Sequence, residues 1–600
     1  MAPPRPTLIY DGDCGICRRW VESWAAMTGD AVEYRPYQTA AADYPSIPLE
    51  TFRRSIQLVE PDARVYAGAA ATFRVLRHAP RRGAWWWLYT RVPGFASLAE
   101  SAYAFLARRR GLLSGVTALL WGTLEPPRYD LVRFVFLRGI GLIYFAAFAS
   151  LAVQILGLIG HDGILPLVSF LGALHRNFGS AAYALVPTAF WLDASDTAIF
   201  GGTFLGMALA LLVVANVAVR PSLVALFALY LSYTYAGQAF TTFQWDALLL
   251  EAGFLAIFLP GGSVTLVWLY RWLVFRYVFM AGTAKVVSGD VSWQSFEALR
   301  YHFMTQPLPT PLAWYAAQLP HWMLAAATAG TLVIEVMLVF LVFAPRRPRM
   351  FAAGCIIVFQ FLIVLTGNYN FFNLLTILLC VFLFDDAALR RLLPKALASR
   401  VAIVRATRTA TRAAAALALI VIPVGVDRIS RLLAQRPLPL VERMTDALAP
   451  LLIVNSYGLF ANMTTSRPEI ILEGSADGVQ WTEYTFRYKP GPLTRRPSWN
   501  VPHQPRLDWQ MWFAALDGAP QERWIAGLVY RLLEGSGPVV DLLATNPFPN
   551  QPPRFVRATL YDYRFTDAAT RSATGAWWTR RDPQPYFPAV SLADFTIPAQ

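Results

Sequence analysis

Charge is scarce in this sequence. Only 15% of its 600 residues are Asp, Glu, Lys or Arg, against 56% hydrophobic and 14% aromatic, and the mean hydropathy is +0.40. That balance excludes an ordinary soluble multidomain protein and reads as a polytopic membrane protein. Cysteine is scarcer still. Of the four present, Cys355 and Cys380 fall in apolar runs, so no disulfide framework is available to the C-terminal region. The start of the chain lacks the unbroken apolar run of a signal peptide, because Pro3, Pro4, Arg5, Pro6, Asp11 and Asp13 interrupt it. The N-terminal part is therefore expected to stay in the cytosol. No GxSxG motif accompanies any histidine, which argues against hydrolase chemistry.

What is present includes a net charge of +14. The arginines gather beside apolar segments, where the positive-inside rule places them, so the basic balance points to a bilayer and away from nucleic acid.

Residues 1–115 read as a soluble α/β unit. A strand at "PTLIYDG" leads into a helix from Cys14 to Met27, then strands near "VEYRPY", "SIQLVE" and "RVYAG", the last two joined across "EPDA". Helices follow at Gly68 to His78 and Leu98 to Arg110. The order predicts a small thioredoxin-like sheet.

Residues 128–430 form the expected transmembrane core. Nine candidate spans lie at about 134–159, 199–219, 222–240, 245–260, 263–285, 323–343, 351–366, 369–385 and 412–427. Four of them fall short of the ~20 residues that cross a bilayer unassisted. With a cytosolic N-terminus, nine crossings put Arg128, Arg133, Arg220, "PRRPR" at 345–349 and the basic stretch 390–412 on the cytosolic side. Loops 160–198 and 286–322, and everything after about Asp427, then lie outside.

Residues 450–600 return to a soluble composition. "PEIILEGSADGVQWTEYTFRY" alternates apolar and polar residues around Asp477-Gly478, a hairpin signal, and "RFVRATLYDYRFT" alternates again. The expectation is a β-rich, sandwich-like outer domain.

Three readings are open for the pair in "YDGDCGICRRW": a working dithiol, a structural pair and a metal site. Zinc would need a second ligand pair, and no other CxxC exists. The strand-to-helix position favours the dithiol. Cys14 falls where helix N–H groups stabilise a thiolate, and Cys17 lies one turn on, so Cys14 would attack and Cys17 resolve. Asp13 opposes this, because a neighbouring carboxylate disfavours the thiolate.

In the core, Asp246 and Glu251 sit in or near the fourth span, and Arg271, Arg276 and Lys285 in the fifth. Ionisable groups at membrane depth pair, line a wet cavity or mark an interface. Counted from the turn at Gly261, Glu251 and Arg271 are each ten residues away and Asp246 and Arg276 each fifteen, which predicts the pairs Glu251–Arg271 and Asp246–Arg276. These pairs either fasten the bundle or build a ligand or client site. Cys355 and Cys380 lie thirteen and twelve residues from Asn368 and are candidate relay thiols, or simply small apolar residues. In "PHQPRLDWQMWFAAL", His503, Arg506, Asp508, Trp509 and Trp512 offer the aromatic and arginine anchors of a client-binding patch. The alternative packs the tryptophans in the core or at the membrane interface.

"LIYDGDCGICRRW", with "VYAGAAAT" and "VPGFASLAESAYAFLARRRG", resembles the DCC family of predicted thiol-disulfide oxidoreductases over residues 5–112. That resemblance implies a catalytic set of Asp13, Cys14 and Cys17. The sequence departs from the broader thioredoxin pattern in having Gly15-Ile16 between the cysteines and no proline directly before "SIQLVE". From about 131 to 565, strings such as "FQWDALLLEAGFLA", "RWLVFRYVFMAGTAK", "YHFMTQPLPTPLAWY", "LTGNYNFFNLLTILLCVFLFDD" and "RPEIILEGSADGVQWTEYTFRYKPG" resemble the lipase maturation factor family. Family members in animals are endoplasmic-reticulum membrane proteins that help secreted lipases become active. The end "FTIPAQ" carries no ER-retention tetrapeptide, and the Ala- and Arg-rich composition suggests a bacterial homologue in the inner membrane with a periplasmic C-terminal domain.

The combined expectation is a membrane-bound thiol-disulfide oxidoreductase that assists exported proteins such as lipases. It would need no cofactor beyond its redox-active disulfide and no metal, and its partners would be the lipid bilayer and protein thiols. Two rivals stand beside it: a non-catalytic assembly factor, and an electron relay between the dithiol and a lipophilic carrier such as a quinone.

Overall fold

The strands at the start of the chain are short, and each buries alternate residues on opposite faces of one sheet. In this computed structural model, residues 3–79, 83–122, 127–394, 401–517 and 523–595 are described. The residues fall into two compact units, Met1–Arg128 with Phe343–Phe351, and Tyr129–Val342 with Ala352–Gln600.

The first unit runs β1 (Thr7–Tyr10), α1 (Gly15–Thr28), β2 (Glu33–Pro36), β3 (Gln57–Val59), β4 (Val65–Ala67), α2 (Gly68–His78), α3 (Gly83–Arg91), α4 (Phe95–Arg108) and α5 (Arg110–Trp121). The sheet order is β2-β1-β3-β4, with β1 and β2 parallel and the other pairs antiparallel, the expected thioredoxin-like arrangement. Leu8 and Leu58 pack with Val21, Trp24 and Val75 on one face. Ile9 and Val59 pack with Ala40, Tyr44 and Phe52 on the other. Helix α2 opens at Gly68, whose φ is +59°, and a Cβ there would come 2.9 Å from Glu100 Oε2. That carboxylate accepts the free N–H groups of Ala69 (3.3 Å) and Ala70 (2.9 Å), satisfying the helix N-terminus from α4.

The second unit holds α6 (Asp130–Ala152), α7 (Asp196–Val214), α8 (Val219–Ala236), α9 (Gln244–Ala256), α10 (Val264–Val287), α11 (His321–Phe343) as far as Val342, α12 (Arg346–Thr366) from Ala352, α13 (Phe372–Leu383) and α14 (Arg408–Leu433). Among the described residues, α6, α7, α10, α11, α12 and α14 are long and apolar enough to cross a membrane. Helix α10 is central, 72% buried over its most apolar stretch, whereas α7, α11, α12 and α14 are each 28% buried. So much exposed hydrocarbon is stable against lipid chains and not against water.

The connections gather into two groups. At one end Asp386 accepts the N–H groups of Asp130, Leu131 and Val132 at 2.9–3.1 Å, Arg133 donates to Gly262 O, and Val404 N donates to Asp130. At the other end the C-terminal domain meets the connections: Arg531 donates to His161 O and Gly163 O, Arg506 to Phe240 O, Arg467 to Met304 O and Pro307 O, and Asn368 to Ser498 O. The helical core and the C-terminal domain thus form one unit. Residues 395–400 of the basic stretch and 596–600 of "FTIPAQ" lie outside the described residues.

That domain contains β5 (Pro468–Ser475), β6 (Thr482–Glu483), β7 (Thr485–Phe486), α15 (Arg506–Asp517), α16 (Arg523–Glu534), β8 (Leu543–Thr545), β9 (Phe555–Phe565) and β10 (Trp578–Val590). An antiparallel sheet of order β10-β9-β5-β6 stands beside a two-stranded β7-β8 sheet. The β5–β6 turn is the expected one: Asp477 Oδ1 accepts from Val479 N and Gln480 N at 2.8 Å, and Gly478 takes φ +77°. The stretch Pro502 to Leu516, open to reading as a surface patch or as packed core, forms helix α15 from Arg506 onward.

Candidate functional site

Strand β1 ends in the turn Asp11-Gly12-Asp13, which delivers Cys14 to the N-cap of α1. Gln38 fastens that turn. Its Nε2 donates to Asp11 Oδ1 (2.9 Å) and Asp13 Oδ2 (3.1 Å), and its Oε1 accepts Gly12 N at 3.0 Å. A Cβ on Gly12 would lie 2.9 Å from Pro36 Cβ, so only glycine fits beside β2. Cys14 and Cys17 form a disulfide with Cα atoms 5.2 Å apart, and Cys14 Sγ accepts the N–H of Cys17 at 3.3 Å. No acidic residue lies in the first turn of α1, leaving its N-terminal N–H groups as the local positive field. Against it stand Asp11 and Asp13 on the Gln38 side.

The two sulfurs have different surroundings. Cys14 borders the polar Asp11-Asp13-Gln38 turn. Cys17 forms part of the wall of an apolar cavity of about 290 Å³ between α1, α2 and α4. Among the described residues no group of three or more His, Cys, Asp or Glu could hold a metal ion.

In the second unit the buried charges pair differently from the expectation. Glu251 pairs with Arg276, both fully buried, and not with Arg271. Glu251 Oε2 also accepts Asn455 N (3.0 Å) and Tyr457 OH (2.9 Å), while Arg276 donates to Asn455 O. Arg271 instead donates to Phe382 O and Tyr129 OH, each at 3.0 Å. Asp246 takes its cation from α15: Arg506 Nη1 and Nη2 lie 3.0 and 2.8 Å from its two oxygens, and Tyr230 OH donates at 2.5 Å. Lys285 pairs with Glu335 at 2.9 Å, where α11 adopts a π-helical turn over Val333–Met337. Equal counting from Gly261 assumed two straight helices. Helix α9 stops at Ala256 and a 3₁₀ turn follows at Leu259–Gly261, so residue number no longer measures depth evenly. Asn455, Tyr457 and Arg506 come from beyond residue 450, and Tyr129, Tyr230, Glu335 and Phe382 from other helices and turns, none of which counting along one hairpin sees.

The five client-binding candidates do not make an exposed patch. Arg506, Asp508, Trp509 and Trp512 are buried and His503 is half-buried. Trp509 packs edge-on to Trp245, ring centres 4.7 Å apart, and Trp512 Nε1 donates to Thr305 O at 2.8 Å. Asp508 Oδ1 accepts Tyr488 N and Lys489 N at 2.8 Å, and burial pushes its carboxyl upward although these donors pull it down. His503 Nδ1 lies 2.9 Å from Ser150 Oγ, which in turn accepts Gln504 N. Burial, with Arg506 and Arg487 nearby, lowers the His503 pKa to about 4, so the ring is neutral near pH 7. Helix α15 packs on strand β5 and the turn at Gln238–Thr241, and its side chains reach Trp245 and Asp246 of α9.

Cys380 is buried at the end of α13 and Cys355 is half-buried on α12; both are free thiols.

Comparison with known proteins gives the family. Profiles of three families match: the lipase maturation factor transmembrane domain over residues 131–391, the lipase maturation factor C-terminal domain over 453–588, and DCC1-like thiol-disulfide oxidoreductase over 8–116. Lipase maturation factor 2 of Gallus gallus is 36% identical over 598 aligned residues, covering 79% of this chain and 83% of the relative. The chain belongs to the lipase maturation factor family. Lipase maturation factor 2 of Homo sapiens is 34% identical, covering 78% of this chain and 84% of that protein. Lipase maturation factor 1 of Bos taurus is 34% identical, covering 77% and 90%. No solved structure matches significantly. Membership in this family, with six helices among the described residues long and apolar enough to cross a membrane, makes the chain a multi-pass membrane protein carrying a DCC1-like domain.

Within this family member, the residues that sequence reasoning missed are those completing the charge centres: Asn455, Tyr457, Tyr230 and the buried trio Arg467, Glu469 and Lys489. "RPEIILEGS" carried a signal for the trio, since Arg467 and Glu469 stand directly before the apolar run Ile470 to Leu472. Asn455 and Tyr457 lie in "NSYGLF", a string similar to the family, whereas Tyr230 carried no signal.

Proposed function

We propose that the chain is a membrane-bound thiol-disulfide oxidoreductase that assists the folding or maturation of exported proteins, with lipases as clients. The observation that carries this reading is the Cys14–Cys17 disulfide, formed at the N-cap of α1 directly after the central strand of a thioredoxin-like sheet. Cys14 is the nucleophile, because it receives both the helix field and the N–H of Cys17, and Cys17 is the resolving thiol. Asp13 keeps Cys14 from being a permanent thiolate and tunes its reactivity. The lipase role rests on the relatives, which are lipase maturation factors 1 and 2.

The domain containing the dithiol faces the cytosol and the C-terminal domain faces the periplasm of a bacterial inner membrane, or the lumen if the membrane is that of the endoplasmic reticulum. The clustering of Arg133, Arg220 and the 404–412 segment at one end of the core supports this orientation. Electrons then have to cross the bilayer, through Cys355 and Cys380 or a lipophilic carrier.

The test is a trapping experiment. In a Cys17→Ala chain, Cys14 should accumulate mixed disulfides identifiable by mass spectrometry, and a membrane-impermeant thiol reagent should leave Cys14 unlabelled in intact cells. A Cys14 that stays unlinked under oxidising and reducing conditions alike would overturn the oxidoreductase reading. It would leave a non-catalytic assembly factor, the reading favoured by Asp11 and Asp13 beside Cys14.

A further inference from the structure

The cavity beside the disulfide has a chemical character that the dithiol alone does not explain. Ile16, Cys17 and Trp20 of α1, Phe73 of α2, and Ala102 and Leu106 of α4 line it, and no charged residue does. Its two hydroxyls are already engaged: Thr72 Oγ1 donates to Gly68 O at 3.2 Å, and Tyr103 OH accepts Ile56 N at 3.0 Å. A peptide laid along such a wall would leave its own N–H and C=O groups unpaired, a substantial penalty. A quinone brings no donor and only two weakly accepting carbonyls on an otherwise apolar body, a smaller penalty in the same place. The volume, about 290 Å³, is at the small end of ligand pockets and suits a substituted ring with the first part of a tail.

The surface around the mouth continues the apolar character. Trp20 is 53% exposed and Leu106 46%, with Phe105 and Leu98 of α4 exposed beside them. Arg108 and Arg109 end the same helix, the mixture of aromatic, aliphatic and basic groups that rests on a lipid surface. The chain enters its first long apolar helix at Asp130.

We propose that this cavity binds a lipophilic quinone and that the quinone reoxidises the dithiol through Cys17. The inference rests on the redox reading of Cys14 and Cys17 and names its electron acceptor. The sulfurs divide the work: Cys14, on the polar side, meets thiols and disulfides from water, and Cys17, on the apolar side, meets the quinone. The Cys17 thiolate adds to the quinone ring, forming a C–S bond. The Cys14 thiolate then attacks Cys17 Sγ, the S–S bond forms as the C–S bond breaks, and the ring departs as hydroquinone. Two thiols are oxidised to one disulfide. The quinone takes up their two electrons and two protons, so the step balances.

The experiment uses the full-length chain in detergent or nanodiscs, reduced and freed of reductant, then mixed with a short-tailed ubiquinone analogue. The loss of quinone absorbance is followed together with disulfide formation by mass spectrometry. One hydroquinone per Cys14–Cys17 disulfide is expected. Filling the cavity by Ala102→Phe should slow the quinone reaction about tenfold or more while oxidation by a small soluble disulfide stays within about twofold. Ala99→Leu, on the same wall, provides a second variant should the first misfold. Equal quinone rates in wild type and folded filled variants would overturn the cavity assignment. So would a dithiol that cycles with soluble disulfides yet ignores the quinone, with the redox reading intact. A pair that cycles with neither oxidant would remove both proposals.

Discussion

Arg506 and Asp246, 260 residues apart, meet through two parallel N–H···O bonds of 3.0 and 2.8 Å with both side chains buried. This bidentate contact joins the first helix of the C-terminal domain to the short helix α9 of the core. Tyr230 adds a third polar contact to the same carboxylate. Removing either charge leaves the other buried without a counter-ion, so Arg506→Ala or Asp246→Ala should each cost about 3–5 kcal/mol. Arg506→Lys should rescue little, because an ammonium cannot make the parallel pair. Thermal unfolding of the purified chain checks this. A full rescue by lysine would show that charge alone matters.

The turn chemistry makes a second prediction. Asp13→Asn removes a negative charge next to Cys14 while keeping an acceptor for Gln38. The reduced variant should hold a larger thiolate fraction and react with iodoacetamide about three- to tenfold faster near pH 7. An unchanged alkylation rate across pH 6 to 8 would mean that Asp13 does not act on Cys14.

His503 gives stability a pH dependence. Its folded pKa is about 4, below the usual 6.5, so between those values the unfolded chain binds a proton that the folded chain refuses. Stability is therefore complete above about pH 7 and falls as the solution is acidified, by on the order of 2 kcal/mol at pH 5 from this residue. His302, also half-buried and lowered to about 4 by desolvation and the nearby Lys285, acts in the same direction. His503→Gln should flatten the decline between pH 7 and 5. An identical slope in the variant would assign the acid sensitivity elsewhere.

Glu100 should matter to the redox domain without touching the disulfide. Glu100→Ala strips the acceptor from the N–H groups of Ala69 and Ala70 and from Tyr89 OH, which donates to it at 2.8 Å. A loss of about 1–2 kcal/mol is expected. Hydrogen exchange should localise faster exchange to the first turn of α2. Protection unchanged at Ala69 and Ala70 would count against the cap.

Much of this was legible in the sequence because local periodicity determined it. The strands "LIY", "QLV" and "VYA", the helix after Cys14 and the Asp477-Gly478 turn each follow from residues within one element. The charge partners did not. Glu251 and Arg276 are joined by a helix end and a 3₁₀ turn that break even counting, and their other ligands, Asn455 and Tyr457, lie about two hundred residues on. The stretch containing Arg506, Trp509 and Trp512 looks like a binding surface in isolation. Folded, it binds, but the partner is the core of the same chain.

The distance along the chain between Asp246 and Arg506 also sets an order of events during synthesis. A ribosome adds about 5–20 residues per second, so roughly 10–50 s pass between the appearance of the carboxylate and that of its guanidinium. Throughout that interval the nascent helical bundle holds a carboxyl group whose permanent cation has not been made. The group must remain hydrated or shielded until the tail has been made and docks. Completion of the membrane part thus waits on the last quarter of the polypeptide, and a chain terminated before Asn455 would give membrane proteases an unfinished bundle to clear.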